Sequence, residues 1–574
     1  MREELFIFTI TPVQSFISSV RKTQDFYAGS YLLSHLCKVA LKTAADNGFK
    51  VVFPEENQKG IPNRFVCKLD ISDEEKMKIS KEIENSVANE LEHIGKTIAR
   101  KVGITVPEEF YIQLNNYFKV YWVFTEIAED YRYSHNSLIK RLSDIKTTRT
   151  FIQINEKGRK CSLFPEYNAL VGYERRPFMS DKAVYLSKEF IESNPVYMEK
   201  GECLSALGFV KRFLNFYFIN NYENEFFSTS KIAALSGINN LLKLDKSIEK
   251  EIRNLGNDFG LVYDLKNKIE INNKIFSDSK KKSAYKIYNS LSNNKISISP
   301  YYAIIKFDGD NMGKIYSNPD LKVNDKVSVI DFQKKLSKDL CNFADYVKEK
   351  IDNSYTGKVV YAGGEDFMGF LTLDCALGEL NYLRNKFENI ESSKLLNKRL
   401  TFSAGIVIVH YKTPLSEAIK MVESMEKEAK KIDKGKDAFG IALLKHSGEI
   451  IKGKLKFKDF KGGNMLDIIE SLIDKLSKYE ISKSFIYKIN QEFGLIALEN
   501  EDVSEYFDEM VINRIKVYLN NSEKKITSSE LDEISACLKN IYYAKGGNKK
   551  EFFDILSIIT FLSRERGEKY AVKN

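Results

Sequence analysis

Two short stretches of this sequence could do chemistry. One is Val359-Val360-Tyr361-Ala362-Gly363-Gly364-Glu365-Asp366-Phe367-Met368, where a Gly-Gly pair and two adjacent acids lie between apolar, β-favouring runs. The pattern predicts a hairpin over 359–373 with Glu365 and Asp366 at its tip. Glycines lack a Cβ, so Gly363 and Gly364 let a phosphate approach the backbone closely. Adjacent carboxylates supply the hard oxygen ligands that magnesium prefers. The other stretch is Asp308-Gly309-Asp310, at the end of the apolar run 301–307 (YYAIIKF). Acids at two converging strand ends make a two-metal phosphoryl-transfer site. An ordinary turn would use the same residue types. The second acidic strand end favours a site over a turn.

The elements that would bring these acids together are legible in residues 301–447. A strand over 301–307 precedes a helix with Phe332, Leu336, Leu340, Phe343 and Val347 at helical spacing. The hairpin follows, then a helix with Ala376, Leu380, Leu383 and Phe387, then a strand over 400–409. This β-α-β-β-α-β order is the ferredoxin-like, or palm, arrangement, which sets the end of the first strand beside the hairpin tip. Thr413-Pro414 opens one further helix to Ile432, and Phe439 to Leu444 adds a strand.

A similar interleaving opens the chain. Leu5 to Ile10 form a strand stopped by Thr11-Pro12, and a helix follows through Val13, Phe16, Ile17 and Val20. A helix is expected from about Tyr31 to Ala45, strands at 51–53, 65–69 and 121–124, and a long charged helix at 72–102. This unit has no glycine pair followed by acids. From 150 to 299 the pattern is mostly helical, with Leu204 to Ile219 as one apolar helix and the Lys/Asn-rich tract 267–294 as a solvated region. Beyond Lys456 the chain reads as helical and Lys-rich. The expectation is an α+β protein with a first palm-like domain at 1–150, a helical linker domain at 151–298, a catalytic palm at 299–452 and a C-terminal helical domain at 453–574.

Bulk composition narrows the class. A chain of 574 residues, 43% hydrophobic and 12% aromatic, has material for several cores. No run reaches the length of a membrane span, and the N-terminus lacks a signal-peptide pattern. Seven cysteines without a CxxC pair argue for a reducing compartment, so a cytoplasmic location is expected. The net charge of +9 permits an RNA-facing surface without requiring one. None of the five histidines precedes an aspartate, so an HD-type metal hydrolase motif is absent from this sequence.

Several stretches together resemble the large, polymerase-like subunit of type III CRISPR effector complexes in its Cmr form. They are Thr11 to Leu36 (TPVQSFISSVRKTQDFYAGSYLLSHL), Ile61-Pro62-Asn63-Arg64-Phe65, Phe227-Ser228-Thr229-Ser230, 301–314 (YYAIIKFDGDNMGK) and 403–415 (SAGIVIVHYKTPL). Diguanylate cyclases carry a related hairpin on the same fold, but they lack the TPVQSF opening and the DGDNMG strand end. The resemblance implies assembly with sister subunits, guide RNA and target RNA, and polymerisation of ATP into cyclic oligoadenylates. Some members instead join AMP to another small molecule, such as S-adenosylmethionine. A scaffold with an inactive palm is the alternative of another class.

The resemblance also implies roles for particular residues. Asp308, Glu365 and Asp366 would hold two Mg2+ or Mn2+ ions, with Gly309, Gly363 and Gly364 beside the nucleotide. Asn63 would read an adenine edge from the first palm, or serve only as a turn residue. Lys436 would bind the triphosphate, or lie on the surface, and Asp310 would join the site or cap a turn. Arg21, Lys22, Lys146 and Arg149 are candidates for an RNA or partner surface. The sequence departs from the family in three ways. It has no HD dipeptide, so DNA cutting is not expected. It has GGED where the family usually has GGDD. Of a zinc knuckle it keeps only Cys161, with Ser205 and Gly208 where a second cysteine pair would stand, so no zinc is expected.

Overall fold

The computed structural model describes residues 3–54, 61–148, 157–194, 196–218, 226–269, 276–322, 327–459, 462–478, 526–544 and 548–566, with a few isolated positions between 491 and 517. Four strands open the chain: β1 (Glu4–Thr11), β2 (Lys50–Phe53), β3 (Arg64–Leu69) and β4 (Lys119–Glu126). They form an antiparallel sheet in the order β2-β3-β1-β4. One face carries Phe6, Phe8, Phe65 and Cys67 into a core shared with the helices Thr23–Asp46 and Asp73–Val102. Ser72 caps the second of these, with Glu75 closing a capping box, and Gly103 ends it at φ 79°. Two further helices in this unit, Glu108–Tyr117 and Tyr131–Thr147, carry weaker apolar periodicity.

Three two-residue strands follow, β5 (Val171–Gly172), β6 (Val184–Tyr185) and β7 (Cys203–Leu204), in the order β6-β5-β7. The expected single helix from Leu204 to Ile219 is a correction. It begins as β7, is helical only over Ala206–Arg212, and ends in one 3-10 turn at Leu214–Phe216. The cause is Ser205, whose hydroxyl accepts from the Gly208 amide and so starts a helix there. Within the Lys/Asn-rich tract the chain forms the helix Asp278–Asn293. It is capped by Ser277 and buries Ala284, Ile287 and Leu291 at helical spacing, which a composition-based expectation of a solvated region overlooks.

The second large sheet contains β8 (Tyr301–Gly309), β9 (Gly357–Ala362), β10 (Asp366–Thr372), β11 (Phe402–His410), β12 (Ala438–Leu444) and β13 (Ile450–Lys456). Its order is β13-β12-β11-β8-β10-β9. The four strands β9-β10-β8-β11 repeat the order of the first sheet, so both units are palm-like. β12 adds in parallel to β11, and β13 pairs antiparallel outside it. β8 is buried on both faces. Ala303, Ile305 and Phe307 face the helices Val329–Asn353 and Ala376–Glu388, while Tyr302 and Ile304 face Thr229–Leu244 and Leu415–Ala429. The helices Met465–Lys478, Ser528–Ala544 and Lys549–Glu565 share the first of these cores.

The Leu415–Ala429 helix lies on the sheet at glycine distance. A Cβ on Gly405 would stand 2.3 Å from the Val422 carbonyl oxygen, and one on Gly440 would stand 2.5 Å from that of Met425. Gly405→Ala should therefore lift the helix and cost about 1–3 kcal/mol in denaturant titration. A change below about 0.5 kcal/mol would mean that this close approach does not hold the helix in place.

Candidate active site

The pairing of β8 with β10 sets Asp308 directly opposite Asp366. Beneath them three phenyl rings stack across three strands. Phe307 lies 4.9 Å from Phe367 and 4.1 Å from Phe402, nearly parallel to both. Such pairs contribute about 0.5–1.5 kcal/mol each beyond their burial and fix the relative height of the strand ends. The tip is tied down by backbone as well. The Gly309 amide donates to the Glu365 carbonyl at 2.9 Å, and the Gly363 amide to the Asp366 carbonyl at 2.9 Å. Gly364 takes φ 98°, which a glycine adopts without strain. A Cβ on Gly363 would fall 2.5 Å from Asp366 Oδ1, and one on Gly309 would fall 3.0 Å from Glu365 Cβ. These glycines therefore leave room for the acids as well as for a ligand.

The acids stand in a field of lysines. Lys430, just beyond the Leu415–Ala429 helix, bonds Asp308 Oδ2 and also reaches Glu426 at 2.7 Å. Lys306, almost fully buried, points to Glu426 at 3.4 Å. Burial first, then the charge of Asp308, raises the Asp366 carboxyl to about 6, while Lys306 and Lys430 oppose the rise. Burial, then Asp366, raises Glu365 to about 7, and Arg64 of the first palm pulls it down. The charge of Glu365 in turn raises the Tyr316 phenol, after burial.

Both palms line one cleft of about 480 Å³. The second palm contributes Asp308, Glu365, Asp366, Lys306, Lys427 and Lys430, and the first contributes Gln14, Tyr27, Ser30, Tyr31, Ser34 and Asn63. The Asn63 carbonyl accepts from the Ile10 amide at 3.2 Å, and its side-chain amide is held at 3.5 Å by Thr9 and Ile10. Gly363 lies on the cleft wall, whereas Lys436 is not among the residues that line it. Lys436 and Asp437 form a positive-φ turn, anchored where the Asp437 amide donates to Asp310 at 3.0 Å. Lys430 was missed in the sequence because nothing local marks it. Helical spacing from Glu426 together with the sheet topology brings it to Asp308.

Other expected positions have plainer roles. Asp310 is nearly buried and accepts from Thr401 Oγ1 at 2.9 Å and Ser403 Oγ at 2.8 Å, so it braces the strand ends from behind. Arg21 pairs with Glu202 at 3.7 Å and Lys22 with Glu199 at 3.2 Å, which turns both toward the linker. Lys146 is partly covered, and burial, then Arg64, lowers its pKa. Arg149 lies outside the described residues.

The metal question divides in two. Among the described residues no group of three or more His, Cys, Asp or Glu side chains is arranged around a point that could hold an ion. Magnesium commonly takes only one or two carboxylates and completes its shell with water and substrate phosphate, so the Asp308–Asp366 pair fits that mode. The raised pKa of Asp366 is a stress that a bound cation would relieve. Zinc does not fit. Of the four knuckle positions, Cys161, Phe164, Ser205 and Gly208, only one is a thiol, and burial raises its pKa. The turn itself persists: Cys161 Sγ accepts from the amides of Leu163 and Phe164 at 3.4 Å.

The acids also make stability depend on pH. Folding raises Glu365 and Asp366 above their unfolded values, so the folded chain holds these protons to higher pH. Their contribution is fully present below the unfolded pKa values and is lost as pH rises through about 6 and 7. Without divalent ions, denaturant titrations should show stability falling between about pH 5 and 8, with a flatter profile for Glu365→Gln/Asp366→Asn. Identical slopes in the two proteins would contradict the shifts.

Two stretches of the chain match known families. Residues 301–440 match the family model for the second palm domain of Cas10/Cmr2, and residues 5–96 match that for the N-terminal part of CRISPR-associated protein Cmr2. The Cmr subunit Cmr2 of Pyrococcus furiosus is 28% identical over 324 residues, covering 52% of this chain and 36% of that protein. The type III-A single-strand-specific deoxyribonuclease Cas10/Csm1 of Enterococcus italicus is 25% identical over 270 residues, covering 46% and 30%. The aligned stretches thus span about a third of these curated relatives. A chain of the type III-B Cmr-beta complex bound to cognate target RNA shares the fold, with TM-score 0.65, 16% identity, and coverage of 96% of this chain and 83% of that one. Its apo state gives TM-score 0.64, 14% identity, and coverage of 96% and 82%. Among the described residues no helix is long and apolar enough to cross a membrane. Its N-terminal segment and its second palm are thus similar to the corresponding domains of the Cas10/Cmr2 large subunits of type III CRISPR complexes.

Proposed function

We propose that this chain is the nucleotidyltransferase of a type III CRISPR effector complex, making a cyclic oligoadenylate from ATP when the complex binds target RNA. The observation that carries this is the Asp308–Asp366 pair at the floor of a cleft walled by two palms. In this account Asp308 and Asp366, assisted by Glu365, would hold two Mg2+ or Mn2+ ions. Bound there, the ions supply the Lewis acidity that activates a ribose hydroxyl and neutralises the leaving pyrophosphate.

The protein's own part is positioning and charge. Lys430, which bonds Asp308, would be free to turn to the triphosphate if Asp308 held a cation, and Lys427 and Lys306 add positive charge along the same wall. Gly363 lets the phosphates approach the backbone. Tyr27, Tyr31 and Asn63 face a second nucleotide from the first palm. Sister subunits, guide RNA and target RNA are the proposed partners, in line with the Cmr-beta complex whose large chain shares this fold.

The test is incubation of the assembled complex with ATP, manganese and target RNA, followed by mass spectrometry of the products. Oligoadenylate is the expected product. An AMP conjugate of another acceptor would keep the chemistry and replace the substrate, and no nucleotide product at all would favour a scaffold. Asp308→Asn and Asp366→Asn should each lower the rate by roughly 100-fold or more, about 2.7 kcal/mol of barrier. Glu365→Ala should cost less, because Arg64 and Tyr316 share its surroundings. Near-wild-type turnover in Asp366→Asn would overturn the assignment.

A further inference from the structure

The first-palm half of the cleft is not held by its own sheet alone. Gln14 and Ile17 line the cleft from the short helix Gln14–Ser18. Three carbonyls at its end accept from one ammonium, that of Lys211. Lys211 Nζ donates to Phe16, to Ile17 at 3.2 Å and to Ser19 at 2.9 Å. Lys211 belongs to the linker helix Ala206–Arg212 and is completely buried. Its stem crosses the Thr23–Asp46 helix at Gly29, where a Cβ would stand 2.8 Å from Lys211 Cε.

The flanks of this ammonium are aromatic. The rings of Phe16 and Phe164 lie 4.8 and 5.5 Å from Nζ, and the two rings stack at 5.7 Å. The next linker residue continues the anchor. Arg212, also fully buried, bonds Asp25 at 3.0 Å and Glu202 at 3.0 Å. Asp25 in turn accepts from the Arg21 and Lys22 amides at 3.0 Å each. Two consecutive linker residues thus pin the turn between the cleft helix Gln14–Ser18 and the helix that carries Tyr27, Ser30, Tyr31 and Ser34.

We propose that Lys211 is a positioning residue for the nucleotide cleft, its ammonium, flanked by the Phe16 and Phe164 rings, fixing the Gln14–Ser18 helix from the linker. Packing alone does not call for the charge. Burial lowers Lys211 to about 7, and a buried charge commonly adds less stability than an apolar residue of the same length. The inference rests on the nucleotide function proposed above, but its structural half is testable without turnover.

In the full chain, Lys211→Met keeps the stem and removes the three hydrogen bonds. Amide exchange over 14–22 should quicken by about tenfold or more while the second palm's strands exchange as before. Affinity for a fluorescent ATP analogue should fall by about fivefold or more, and in the assembled complex KM for ATP should rise with kcat held within about twofold. Gly29→Ala, which displaces the lysine by its Cβ, should reproduce both changes in a chain that keeps the charge. Unchanged exchange over 14–22 in both variants would overturn the anchor. Faster exchange with unaltered analogue affinity would overturn its role in the cleft. Failure of the wild-type complex to turn over ATP would count against the proposed function and leave these two readouts intact.

Discussion

Two carboxylates at neighbouring strand ends repel each other, and partial burial sharpens the repulsion, so the pair persists only because the strand register leaves it no escape. A slip of one residue between β8 and β10 would set an acid of one strand opposite a phenylalanine of the other, breaking both the Asp308–Asp366 pair and the Phe307–Phe367 pair. The stack of Phe307 between Phe367 and Phe402 resists that slip on one face. On the other face, Lys306 and Lys430 offset the acids' charge, and Glu426 pairs with both lysines. Asp310, held by Thr401, Ser403 and the Asp437 amide, fixes the chain just beyond the strand end.

The rest of the molecule is arranged around that register. The helix bearing Glu423, Glu426 and Lys427, with Lys430 at its C-terminal end, reaches the acids because Gly405 and Gly440 let it lie against the sheet. The first palm repeats the strand order without the acids and turns its own helices into a wall of the same cleft. The linker reaches that wall's helices through Lys211 and Arg212. Its buried Asp25–Arg212–Glu202 cluster is costly to break, because removing one partner strands a charge away from water. Position in the cleft and integrity of the linker are therefore physically linked.

Much of the second palm was legible in the sequence. Period-two and helical spacing gave its strands and helices, and the GGED and DGD stretches marked the tip and the strand end that β8 and β10 bring together. Isolated propensity failed where a single capping serine decides the outcome, as at Ser205, and where a Lys/Asn-rich composition hides a narrow apolar stripe, as at Ala284, Ile287 and Leu291. Long-range partners were not legible. Lys430 on Asp308, Arg64 near Glu365 and Lys211 under the Gln14–Ser18 helix join residues far apart in sequence, with no local pattern. Lys436 and Lys430 look equally plausible as letters; only the turn at Asp437 and the helix before Lys430 distinguish them.

The central claim is that Asp308 and Asp366 together form the cation site and that Lys430 occupies part of it until a cation arrives. The most direct measurement is a crystal structure with manganese and a non-hydrolysable ATP analogue, read by anomalous scattering. The account predicts an anomalous peak beside the two carboxylates, with Lys430 moved off Asp308. A nucleotide bound in the cleft with no peak at that pair, or with Lys430 still on Asp308, would contradict it.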